Sequence, residues 1–265
     1  MKVALQLLKI AAIAYVVLCI LLYFIQERLI FFPAKLAKDY QFVFGQEVEE
    51  LDFKMPDNTM LNGILFRTDK PKGLIFYLHG NAGSLASWGT IAKKYTDLHY
   101  DLFMMDYRGY GKSEGSIHNE QQFYEDVQTI YSQLKTRYSE KDIVVLGYSI
   151  GTGAATQLAA SNHPRLLILQ APYYSLTDMM SHRFRIIPSV LLKYKFATNQ
   201  FIQVCTMPVV IFHGDLDEVI YYGSSLKLKE LFKSADTLIT LRGHLHNGMS
   251  DDPVYLSELA NVLAR

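Results

Sequence analysis

The chain has 265 residues, enough for one large α/β domain or two small ones with a sizeable core. Its 26 basic and 26 acidic residues cancel, so no overall charge draws it to nucleic acid, and any basic patch would be local. The two cysteines, Cys19 and Cys205, lie too far apart to read as a disulfide framework or a zinc pattern.

The first element is an uncharged apolar run from Ile10 to Ile25. As a helix it reaches about 24 Å, short of a bilayer core of about 30 Å. Extending it back to Leu5 gives about 31 Å, with Lys9 snorkelling to the interface. A single transmembrane anchor over residues 1–28 is therefore expected. A cleaved signal peptide competes, but Gln26-Glu27-Arg28-Leu29 offers no small-x-small cleavage site. A buried core helix is the third reading. Orientation is open, because Lys2 and Lys9 on one side face Arg28, Lys35 and Lys38 on the other. The collar Leu29-Ile30-Phe31-Phe32-Pro33 either lies in the membrane interface or packs under the domain that follows.

Residues 29–265 read as that domain. Glu47–Met55 alternates as a strand, Pro56-Asp57-Asn58 turns, and Met60–Thr68 returns as the hairpin partner. Gly73–Leu78 is continuously apolar, the pattern of a central strand buried on both faces. A helix over Leu85–Leu98, a strand at Leu102–Met105, a helix over Glu120–Tyr138 and a strand at Ile143–Leu146 follow. Further strands are expected at Leu166–Leu169, Val209–Phe212 and Thr237–Leu241, with helices after Ser149, over Ser224–Phe232 and over Asp252–Leu263. Such alternation predicts a mostly parallel sheet with helices on both faces. Tyr173–Cys205 breaks it with a long apolar and basic insertion, expected to be a helical lid over the active site rather than two ordinary covering helices.

Gly147-Tyr148-Ser149-Ile150-Gly151 sits between a strand and a helix. A serine nucleophile must project from a sharp turn, and small residues two before and two after make room for that turn. The serine needs a base and a group that orients the base, in the order Ser, acid, His, each past the end of a later strand. After Val209–Phe212 the acid is Asp215 or Asp217; after Leu238–Leu241 the base is His244 or His246. A metal reading of His244-x-His246 lacks a third ligand cluster. The loop His79-Gly80-Asn81-Ala82-Gly83 is a candidate oxyanion loop, with the N–H of Ile150 as the second donor and His79 as structural support.

His79-Gly80-Asn81-Ala82-Gly83, Asp106-Tyr107-Arg108-Gly109-Tyr110-Gly111-Lys112-Ser113, the serine pentapeptide, Ala171-Pro172-Tyr173 and His213-Gly214-x-x-Asp217-x-x-Ile220 together resemble the α/β-hydrolase superfamily, nearest its serine-aminopeptidase-like branch. The anchor followed by Glu27-Arg28-Leu29-Ile30-Phe31-Phe32-Pro33 resembles the membrane-anchored α/β-hydrolase-domain proteins, which include the bud-emergence type and protein depalmitoylases. The resemblance spans nearly the whole chain and implies an α/β-hydrolase fold. It implies the triad Ser149, Asp217 and His246, since that acid follows the His of His-Gly by four residues and that base precedes Asn247. His244 stands where the family usually has a small residue. The expected activity is hydrolysis of an acyl ester, thioester or lipid-like substrate at a membrane, without cofactor, metal or nucleic acid. A serine peptidase and a non-catalytic lipid- or partner-binding protein are the alternatives.

Overall fold

The computed structural model describes residues 1–264. Helix α1 runs Lys2–Ile30, followed by strands β1 (Val48–Lys54), β2 (Met60–Phe66) and β3 (Leu74–Leu78). Helices α2 (Leu85–Trp88) and α3 (Lys93–Thr96) precede β4 (Asp101–Met105), and α4 (Glu120–Leu134) precedes β5 (Ile143–Tyr148). Then come α5 (Gly151–Ala160), β6 (Leu166–Gln170), α6 (Leu176–Arg183) and α7 (Thr198–Phe201). The chain ends with β7 (Val209–Gly214), α8 (Gly223–Lys229), β8 (Thr237–Leu241) and α9 (Pro253–Ala264).

The eight strands form one sheet in the order β1-β2-β4-β3-β5-β6-β7-β8. Only β2 pairs antiparallel with its neighbours; the rest of the ladder is parallel. Every residue of β3 to β7 is buried, because side chains that alternate along a strand enter two separate cores. Leu74, Phe76, Leu78, Ile143 and Val145 pack with α4 and α5 on one face. Ile75, Tyr77, Val144 and Leu146 pack with Tyr95 and Tyr255 of α3 and α9 on the other. The parallel strands therefore present their carboxyl ends along one rim, where loops meet.

Two expected helices differ in detail. Leu85–Leu98 is not one helix but α2, a 3-10 turn over Gly89–Ile91, and α3. The backbone closes on Phe44 there: a Cβ on Gly89 would lie 2.5 Å from that ring. Helix α4 stops at Leu134 rather than Tyr138, where the Thr136 hydroxyl and N–H both turn to Gln133 O, at 2.7 and 3.1 Å. The insertion over 173–205 contains α6, a 3-10 turn at Ser189–Leu191 and α7, joined by turns and irregular chain.

The collar packs against the domain. Phe31 is buried against Phe123, Tyr194 and Phe196, with ring centroids 6.1, 5.2 and 6.5 Å away. Pro33 bridges Gly83, and Ala34 N–H donates to Gly83 O at 2.9 Å. Most of α1 instead exposes its apolar side chains, with Phe24 71% exposed.

Arg108, in the loop after β4, is buried and forks onto Asp126 at 2.6 and 2.8 Å while reaching Asp57 at 2.5 Å. Burial pushes the Asp126 carboxyl up, and Arg108 opposes that shift. Arg108→Ala leaves a buried carboxylate without its cation, so unfolding free energy should fall by about 3–5 kcal/mol in denaturant titration. A loss under about 1 kcal/mol would mean that the pair carries little of the fold.

Candidate active site

Strand β5 delivers Ser149 to the rim. Its φ is +52°, a left-handed conformation uncommon for a residue with a Cβ. Two close approaches hold it there. A Cβ on Gly147 would lie 2.7 Å from Ala155 Cβ, and one on Gly151 would lie 2.3 Å from Leu78 O, so both positions require glycine. Ser149 N–H donates to Gln170 O at 2.9 Å, while Ser149 O accepts from Thr152 N–H and Thr152 Oγ1 at 2.9 and 2.6 Å. The turn is fixed from both sides.

Ser149 Oγ lies 3.0 Å from His246 Nε2, and His246 Nδ1 lies 2.7 Å from Asp217 Oδ2. A carboxylate beside Nδ1 keeps the proton on that nitrogen, so the Nε2 lone pair faces the hydroxyl. Asp217 is nearly buried. Burial alone would raise its pKa, but hydrogen bonds from His213, His246 and Ile220 N–H hold it well below the usual carboxylate range. Asp217 Oδ1 accepts from Val219 and Ile220 N–H at 2.8 and 2.7 Å.

The alternatives left open by spacing go elsewhere. Asp215 Oδ1 accepts from Gly243 N–H at 2.6 Å, and His244 Nε2 pairs with Asp252. The two histidines thus engage different carboxylates. The structure brings together Ser149, His246 and Asp217, and leaves Asp215 and His244 as turn-building residues.

Three side chains around this set went unassigned in the sequence. His213 is fully buried; its Nε2 faces Asp217 Oδ2 at 3.2 Å and Ile220 O at 3.0 Å, and its Nδ1 faces Ser225 Oγ at 2.6 Å. Two acceptors at Nε2 place the proton there, making His213 a second donor to Asp217. The Tyr148 hydroxyl donates to His246 O at 2.6 Å, and Glu218 accepts from His246 N–H at 3.2 Å. The His-Gly doublet could have pointed to His213; Tyr148 carries no signal, occupying a freely variable place in the serine motif.

The loop after β3 approaches the serine. Among the described residues no acceptor takes the N–H of Asn81 or of Ile150. The Asn81 side chain is held by the end of the collar: Oδ1 accepts from Phe32 N–H at 3.0 Å and from Tyr110 OH at 2.9 Å, and Nδ2 donates to Ile30 O. His79 is buried beside Tyr107 and Trp88, with Nδ1 2.7 Å from Gly80 O, which makes it a support of this loop.

The fold defines an α/β hydrolase. A solved Pyrococcus furiosus esterase matches it with a TM-score of 0.69 over 89% of this chain and 97% of that one, at 17% identity. Residues 69–201 match the family model described as serine aminopeptidase, S33. The alpha/beta hydrolase domain-containing protein 17B of Xenopus laevis is 30% identical over 200 residues, 73% of this chain and 67% of that protein. The chain belongs to this serine aminopeptidase family of α/β hydrolases. A lysophosphatidylserine lipase of Danio rerio is 29% identical over 194 residues, 65% of this chain, which spans half of that protein's length.

Proposed function

We propose that the chain is a membrane-anchored serine hydrolase that cleaves carboxylic esters or acyl-thioesters through an acyl-enzyme. One observation carries the reading: a serine hydroxyl at a left-handed apex, 3.0 Å from an imidazole that a carboxylate orients at 2.7 Å. Ser149 Oγ attacks the substrate carbonyl while His246 Nε2 takes its proton and Asp217 stabilises the imidazolium. The oxyanion faces the N–H groups of Asn81 and Ile150; one such donor contributes about 2.7–4 kcal/mol. Collapse breaks the C–O or C–S bond, and His246 protonates the leaving alkoxide or thiolate. Water, deprotonated by His246, then attacks the acyl-enzyme and releases the acid and the serine.

Residues 1–28 serve as the anchor, 29–265 as the hydrolase domain and 173–205 as its lid. The 29 residues of α1 extend about 43 Å, beyond a hydrocarbon core of about 30 Å, and its apolar window is unburied by protein. The lipase among the relatives favours single-chain lipid esters as first substrates. Within the same superfamily a peptidase is the second reading, favoured by the family's description.

The decisive experiment runs full-length protein, recovered from carbonate-washed membranes, against p-nitrophenyl esters, acyl-thioesters and aminoacyl amides. Turnover of the first two classes supports the proposal. Turnover of the amides alone sinks it in favour of a peptidase, and turnover of none revives a binding role.

A further inference from the structure

A cavity of about 710 Å³ opens against the acid loop at Glu218 and Val219, within the range of about 300–1,000 Å³ typical of small-ligand pockets. Three distant parts of the chain wall it: Leu22 and Leu29 from α1, Met179, Ile187 and Leu192 from the insertion, and Val219 from the loop after β7. We infer that this cavity holds a single fatty acyl chain of the substrate, and that the membrane helix forms one of its walls. The inference rests on the acyl-hydrolase reading and gives the substrate's chain a place.

The chemistry of the walls selects hydrocarbon. The polar groups among them are partnered elsewhere in the protein or face solvent. Gln26 Nε2 donates to Tyr23 O at 2.9 Å and Leu191 O at 3.2 Å, and Gln26 Oε1 accepts from Lys193 N–H at 2.8 Å. Glu218 accepts from His246 N–H, and the Tyr221 hydroxyl donates to Asp178. The His182 ring is stacked on Tyr221 with centroids 3.9 Å apart, and Arg183 is exposed to solvent. A peptide or sugar placed inside would leave its polar groups unpaired, at a cost of about 1–3 kcal/mol each.

Position ties the cavity to the catalytic loops at two points. Val219 N–H donates to Asp217, and Ile30 O accepts from the Asn81 side chain. Chain held between these points lies against both the acid loop and the oxyanion loop.

Helix α1 shows the features of a wall as well as those of an anchor. Leu22, Gln26, Leu29 and Ile30 recur at helical spacing on one face, and Leu22 and Ile30 lie about 12 Å apart along the axis. Tyr15 on the same helix donates to Ile186 O at 2.6 Å. A helix that only crossed a bilayer has no use for a buried glutamine. Here its amide fixes the insertion against the helix through both ends. Between Ile10 and Ile25 the other faces of α1 are apolar and mostly exposed, so with α1 as the anchor the cavity adjoins a segment among lipid chains.

The test uses full-length protein in phosphatidylcholine vesicles and compares labelling rates by ethyl and hexadecyl fluorophosphonates. The hexadecyl probe should react at least about tenfold faster, a discrimination within reach of one apolar pocket. Leu22→Trp and Met179→Trp fill the cavity and should bring the ratio near one, whereas Phe24→Trp, on the exposed side of α1, should leave it high. A ratio that survives both filling variants, or that Phe24→Trp lowers equally, overturns the inference while leaving the hydrolase reading intact. If neither probe labels Ser149, the hydrolase reading fails, and the cavity is tested by binding alone. A photoreactive hexadecanoic acid should then crosslink within residues 176–192 of Ser149→Ala protein and lose that product in Met179→Trp. Crosslinks confined to the outer face of α1 overturn the inference.

Discussion

Ser149→Ala is expected to abolish fluorophosphonate labelling and to lower kcat on the order of 10⁶-fold, the loss seen when a triad nucleophile is removed. On the proposed mechanism the hydroxyl is the atom at the apex that forms the acyl-enzyme, and no other serine is hydrogen-bonded to His246 Nε2 among the described residues. The proposed oxyanion donors and substrate binding would survive the substitution, so about 10³–10⁴-fold catalysis over water should remain. His246→Ala should follow Ser149→Ala closely, whereas His244→Ala should keep most activity, because His244 pairs with Asp252 and not with the serine. Full labelling of Ser149→Ala would remove this residue from the mechanism. Loss of activity in His244→Ala alone would exchange the two histidines.

Asp217→Asn should lower kcat about 10⁴-fold with little change in KM, as in other triads that lose only the acid. The direction follows from the hydrogen bonds. Two backbone N–H groups, of Val219 and Ile220, point at Oδ1, so the carbonyl of an asparagine must stay there. Its NH₂ then occupies the Oδ2 position, facing His246 Nδ1 and His213 Nε2. His246 can answer only by giving up the Nδ1 proton. Its single proton then sits on Nε2, where the lone pair is needed for Ser149. Retention of more than about a tenth of wild-type kcat would show that Asp217 does not set the tautomer.

The serine turn was legible because it is local: a buried strand, a pentapeptide with glycines at both ends and a helix leave few alternatives. The alternating strands were legible for the same reason, since β3 to β7 are short apolar runs bounded by turns. The choice between Asp215 and Asp217, or His244 and His246, was not a local matter. Each pair lies two residues apart on one loop, and partners from remote loops separate them: Gly243 takes Asp215 and Asp252 takes His244. Residues 30–34 were illegible as a brace of the loop at Asn81, because extended chain has no periodicity and their partners Asn81, Gly83 and Tyr110 are distant. Phe44, on which Gly89 closes where the helix after Leu85 breaks, is announced by nothing near Gly89 in sequence.

The docking of Phe31 also bears on the order of events at the ribosome. Its aromatic partners Tyr194 and Phe196 belong to the second half of the chain. At about 5–20 residues per second, they emerge on the order of ten seconds after Phe31. In that interval α1 has already left the ribosomal exit, while the chain that braces Asn81 has Phe123, Gly83 and Tyr110 to rest on but not yet Tyr194 and Phe196. The loop at Asn81 therefore acquires the last part of its support only after the insertion is made. A nascent chain interrupted between β6 and the insertion would carry Ser149 but neither Asp217 nor His246, so it should be unreactive until the later loops are made.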